Sequence, residues 1–134
     1  MKATNQQLLE GKSALEQMLE LEIPDIKIAY QLGRNLRKIT KALHGFQEED
    51  KALLEIYAEK DENGKIVVSE KRIQLMPETA AEFHELKTTE LEREVEVDIW
   101  LIPFNDLQKI QDSFRKDKIT MRVIYLLEWM MQRE

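Results

Sequence analysis

Glu59-Lys60-Asp61-Glu62-Asn63-Gly64-Lys65-Ile66-Val67-Val68 is the stretch whose reading decides the fold. It closes a long helical pattern and opens a short β-branched run, with Asn63-Gly64 between them. Asn-Gly supplies the positive φ that a tight turn needs, so helix must give way to strand here. A second strand-like run, Glu94-Val95-Glu96-Val97-Asp98-Ile99, follows about thirty residues later. The two runs predict a small two-stranded element beside a helical body, Ile66–Val68 pairing with Val95–Ile99.

Upstream of the turn, Leu32, Leu36, Ile39, Leu43, Phe46, Leu53 and Tyr57 follow steps of four and three. The repeat wants an apolar residue at Asp50, which marks either the point where the helix leaves the core or a register-setting contact. The pattern predicts one long or slightly bent helix from Pro24 to about Lys60, roughly 55 Å at 1.5 Å per residue. Gly45 is the place where that run would bend or divide. Before it, Thr4 and Gln7 have the spacing of a capping box. Leu8, Leu15, Met18 and Leu19 then form a first helix that folds back as an antiparallel hairpin. Gly11 lies inside it at a cost of about 1 kcal/mol relative to alanine.

Downstream, Pro77 is read as starting a helix that carries Ala80, Ala81, Phe83, Leu86 and Leu91. From Glu94 to Ile102 the chain alternates, with Val95, Val97, Ile99 and Leu101 on one face and Glu94, Glu96, Asp98 and Trp100 on the other. Asn105 is a candidate cap for a short helix holding Leu107, Ile110 and Phe114. Thr120 is the candidate cap of the last helix. Val123–Met131 is apolar almost all round, which requires burial or cover by another subunit. The fold class is therefore mainly α (α+β): a long antiparallel helical hairpin, shorter helices and a minor two-stranded β element.

The 134 residues fit a single α-rich domain, 1–134. With no cysteine, disulfides, thiolate zinc sites and cysteine nucleophiles are excluded. No basic-then-apolar leader opens the chain and no apolar run is long enough to span a bilayer, so the expected address is cytoplasmic, without a membrane partner. A net charge of −6 argues against general nucleic-acid affinity.

Several clusters bear on chemistry. Arg34, Arg37, Lys38 and Lys41 lie at helical spacings along one side and form a candidate partner-binding face, either for an acidic protein surface or for nucleic-acid phosphates. Glu94, Glu96 and Asp98 line one side of a strand, where the valines alone explain the alternation. A metal-dependent or small-ligand enzyme using those carboxylates is the alternative, and it needs an enclosed pocket. Trp129, Met130 and Met131 are candidates for an oligomer interface or for core. His44 and His84 lack partners at metal-ligand spacing. No phosphate loop, serine elbow or zinc-hydrolase helix is present, so neither catalytic residues nor a cofactor are implied.

Pro24 with Tyr30 and Arg34-Asn35-Leu36-Arg37-Lys38-Ile39, then Tyr57–Gly64, Glu94–Ile99 and the terminal Ile119-Thr120 helix form a recurring order of landmarks. In these the chain resembles the small domain-of-unknown-function proteins of phages and prophages of Gram-positive bacteria. Trp100-Leu101-Ile102-Pro103 and the methionine-rich end are heavier than that pattern. The resemblance implies a phage or prophage origin and a non-catalytic role. It implies no active-site residues. The functional expectation is an accessory protein acting through protein–protein contacts with a host or phage partner, and as a homo-oligomer, in virion assembly or host interference.

Overall fold

The computed structural model describes residues 1–113 and 119–132. In chain order the elements are β1 (Lys2–Thr4), α1 (Asn5–Glu20), α2 (Ile26–Ala42) and α3 (His44–Tyr57). Then come β2 (Val68–Ser69), β3 (Arg72–Ile73), α4 (Ala80–Glu92), β4 (Glu94–Glu96), α5 (Phe104–Asp112) and α6 (Met121–Leu127). A 3-10 turn, Glu128–Met130, follows α6. The class is mainly α with minor β. The chain divides into two compact units, one of residues 1–43 with 94–134 and the other of 44–93.

The first unit is organised by its helix starts. Thr4 Oγ1 accepts from the Gln7 N–H at 3.1 Å, and Gln7 Oε1 accepts from the Thr4 N–H at 3.0 Å. Both directions of the capping box are thus made, satisfying two donors that helix geometry leaves free. Asp25 caps α2, its Oδ1 accepting from the N–H groups of Lys27 and Ile28. Pro24 therefore lies before the helix, not in its first turn. The inward faces of the α1–α2 hairpin carry Leu8, Leu15 and Met18 from α1 and Ile28, Leu32 and Ile39 from α2, all buried. Val123, Leu127 and Met130 add to this core from the end of the chain.

The long helix is corrected to two. α2 ends at Ala42 and α3 begins at His44, with Leu43 between them at φ −77°, ψ −9°. Those dihedrals remain right-handed, and the apolar residues keep steps of four and three in sequence on both sides of Leu43, so apolar spacing does not reveal the break.

The β pairing is also corrected. β4 pairs antiparallel with β1, Lys2 opposite Glu96 and Thr4 opposite Glu94. β1 is only three residues long, its last residue Thr4 being the α1 cap, and has no alternation long enough to announce a strand. In the second unit β2 pairs with β3 across Glu70-Lys71, with Val68 opposite Ile73. Both turn residues are left-handed, φ +52° and +64°, the geometry of a type I′ hairpin made without its usual glycine.

The Asn63-Gly64 turn forms as expected. Asp61 Oδ1 accepts from the N–H groups of Asn63 and Lys65, both at 2.9 Å, and Gly64 has φ +77°. It returns the chain so that Lys60 bridges Ile66 and Ala58 bridges Leu75. Strand-like backbone here therefore pairs locally instead of reaching Val95–Ile99. α4 opens at Ala80 after a turn over Pro77–Thr79, three residues later than Pro77 alone predicts. Asp50 on α3 pairs with Lys87 on α4 at 3.0 Å, and Lys87 also lies 5.8 Å from the centroid of the Phe83 ring. The interruption in the apolar repeat is thus a contact between two helices of one unit.

Alternation after Glu94 holds through Val97 and then slips. Leu101 is 41% exposed and Ile102 is fully buried, reversing their expected faces. Ile102 donates its N–H to Met130 O and accepts from the Gln132 N–H, each at 2.9 Å, a parallel bridge to the chain end. Pro103, not Asn105, stands at the N-cap of α5. Thr120 caps α6 as predicted, its Oγ1 accepting from the Val123 N–H at 3.3 Å. Phe114 lies outside the described residues.

Candidate functional site

The α2 helix has two opposed faces, and its sequence dictates both. Ile28, Leu32, Asn35 and Ile39 are buried at steps of four, three and four. At 100° per residue, the residues pointing directly away are Ile26, Tyr30, Arg34, Arg37 and Lys41. All five are exposed, Ile26 at 83% and Tyr30 at 59%. They form a stripe about 22 Å long at 1.5 Å per residue, apolar at its start and cationic over the rest.

Arg34, Arg37 and Lys41 share this stripe, but Lys38 leaves it. Lys38 lies on the flank and its Nζ reaches Asp98 Oδ2 at 2.6 Å. That hydrogen bond holds the Asp98 carboxyl below the usual carboxylate range, with Arg34 adding a smaller attraction. Among the described residues, Arg34, Arg37 and Lys41 have no carboxylate within ion-pair distance. Beside the stripe lies a shallow notch of about 200 Å³ whose walls include Gln31, Arg34, Lys38, Asp98 and Trp100.

Asn35 is the residue that positions this region, and pattern reading passes over it. Its side chain is 1% exposed. Nδ2 donates to Trp100 O and Oδ1 accepts from the Trp100 N–H, both at 2.9 Å. One side-chain amide thus satisfies both backbone groups of a residue 65 positions away, as a neighbouring strand would. The available sequence signal is a polar residue on the inward line 28–32–35–39.

The acidic row is placed as its alternation predicts. Glu94, Glu96 and Asp98 are exposed, while Val95 is half-buried and Val97 buried. Glu96 Oε1 lies 2.8 Å from the Met1 amino group, which lowers its pKa. A carboxyl serving as general acid near neutral pH needs the opposite shift. His44 is exposed beside Glu48, and His84 meets the edge of Phe83 at 5.5 Å between centroids. Among the described residues no group of three or more His, Asp or Glu side chains is placed to hold a metal ion.

The apolar chain end divides by residue. Met130 is fully buried, whereas Trp129 and Met131 are half-buried. Gly11 explains the close packing there: a Cβ at this position would stand 2.5 Å from Met130 Cε and 2.9 Å from Trp129 Cζ2. The glycine that weakens α1 locally is what lets the 3-10 turn approach it. Trp129 and Met131 line an open cleft between α1 and the chain end together with Gln7, Glu10, Tyr125 and Glu128. No helix among the described residues is long and apolar enough to cross a membrane.

Comparison of the chain with protein-family models, with curated proteins and with solved structures found no match.

Proposed function

We propose that the protein is a non-catalytic accessory protein of phage type whose outer α2 face docks an acidic segment of a partner protein. The observation that carries this reading is the stripe Ile26–Tyr30–Arg34–Arg37–Lys41, with three cations free of carboxylate partners among the described residues. Cations spaced by three and four residues match carboxylates along one side of a partner helix or an extended acidic segment. Ile26 and Tyr30 add exposed apolar area at one end, and contact cores favour tyrosine and arginine. A purely electrostatic nucleic-acid surface has less use for that apolar end. The partner belongs to the host or to the virion, and the contact serves interference or assembly.

Fluorescence anisotropy with a labelled Glu/Leu-rich peptide and with a duplex DNA of matched charge tests the assignment. The peptide should bind, and Arg34→Glu with Arg37→Glu and Lys41→Glu should abolish binding. Lys38→Gln should have little effect, because Lys38 is already engaged by Asp98. DNA binding with a steep salt slope and no peptide binding would sink this reading and favour phosphate recognition instead. In cells, a photo-crosslinking residue in place of Tyr30 should capture a partner that the triple charge reversal releases.

A further inference from the structure

We propose that the cleft between α1 and the chain end is a second binding site, of opposite sign to the α2 stripe, which takes an arginine or lysine side chain of a basic peptide segment. Its volume is about 590 Å³, within the range of sites that hold a small organic group. Two aromatic rings, Tyr125 and Trp129, and two carboxylates, Glu10 and Glu128, line it. Its described walls contain no lysine, arginine or histidine. Neither carboxylate makes an ion pair among the described residues, and Glu10 accepts only from the neutral Gln6 amide at 3.0 Å.

Aromatic rings beside unpaired carboxylates form a cation site for two physical reasons. The ring faces attract a guanidinium or ammonium through their quadrupole, and tryptophan does so most strongly. The carboxylates then meet its charge with directed hydrogen bonds, bidentate for arginine. Trp129 packs against Gly11, so one ring is already placed before any ligand arrives. Tyr125, also on the lining and 66% exposed, has the freedom to close over the alkyl stem of a long basic side chain. An anionic ligand is repelled by both acids. Glu10 is half-buried whereas Tyr125 and Glu128 are exposed, a difference in depth that suits a long side chain carried on a peptide over a compact free amine.

The test uses the full chain with Trp100→Phe, so that Trp129 alone reports on the cleft, after circular dichroism has shown an unchanged fold. A short Arg/Lys peptide should shift the Trp129 emission saturably, and its Glu-substituted counterpart should not. Glu128→Gln, at an exposed position, should weaken binding about tenfold, the loss of one charge-assisted contact. No saturable shift at millimolar peptide, or equal affinity in Glu128→Gln, overturns the proposal. Choline or spermidine binding as tightly as the peptide also overturns it, reassigning the cleft to small amines. Charge reversal at Arg34, Arg37 and Lys41 should leave this binding intact, so its outcome is independent of the α2 docking face.

Discussion

Removing the Asn35 side chain is expected to weaken the first unit far more than its one-residue change suggests. Asn35→Ala deletes both hydrogen bonds to Trp100, made at 2.9 Å in each direction. It leaves a backbone N–H and a C=O without partners. Each unmade buried group costs about 1–3 kcal/mol, and the half-buried state of Trp100 admits some water. The expected loss is therefore about 2–4 kcal/mol, a substantial part of the ~5–15 kcal/mol that holds a domain folded. With a urea m-value of about 1.5 kcal/mol per molar, the unfolding midpoint should fall by ~1–3 M. Both tryptophans lie in the first unit, so tryptophan emission follows that unit specifically.

Asn35→Leu separates packing from hydrogen bonding. Leucine fills the space but satisfies neither Trp100 group, so it should be no better than alanine; rescue by leucine would mean that volume was the missing quantity. Hydrogen exchange at the Trp100 amide should accelerate in both variants. If both unfold within about 0.5 kcal/mol of the parent, the clamp has been misread as a structural support.

Three further outcomes can be measured. Gly11→Ala should gain about 1 kcal/mol of helix propensity yet be destabilised overall, because its Cβ meets Met130 and Trp129 and overpacking costs ~1–3 kcal/mol; a raised thermal midpoint with unchanged Trp129 emission would refute it. Replacing Glu70-Lys71 by Asn-Gly should stabilise the β2–β3 hairpin by about 1 kcal/mol, since both residues are left-handed, read as slower hydrogen exchange across Val68–Ile73. Asp98 has a lowered folded-state pKa, so the stability it contributes is present above its ordinary carboxylate value and disappears as pH falls through the lowered one. Lys38→Met should raise the Asp98 pKa in an NMR titration and flatten that acid dependence; an unmoved Asp98 would show that Lys38 is not the cause.

Local chemistry was legible where its partners lie within a few residues. The Thr4–Gln7 box, the Thr120 cap and the Asp61–Gly64 turn all close rings within four positions. Residue type and spacing therefore suffice to predict them. The cationic stripe was legible for the same reason, since helical period alone sets Arg34, Arg37 and Lys41 on one side. The same period could not reveal the break at Leu43, whose dihedrals stay helical. Nor could it show that Lys38 is engaged, because its partner Asp98 is 60 residues away.

By itself the sequence determined the mainly helical class, the caps of α1 and α6 and the character of the exposed α2 face. Tertiary structure alone decided that β4 pairs with β1, that Asn35 acts as a strand edge for Trp100, and that Gly11 admits Met130 and Trp129. It also separated buried Met130 from Trp129 and Met131, which line a cleft with Glu10 and Glu128. The physical reason is sequence distance. A cap or turn is favoured by its own few residues, whereas a contact across 65 positions exists only because burial elsewhere offsets the entropy of bringing its ends together.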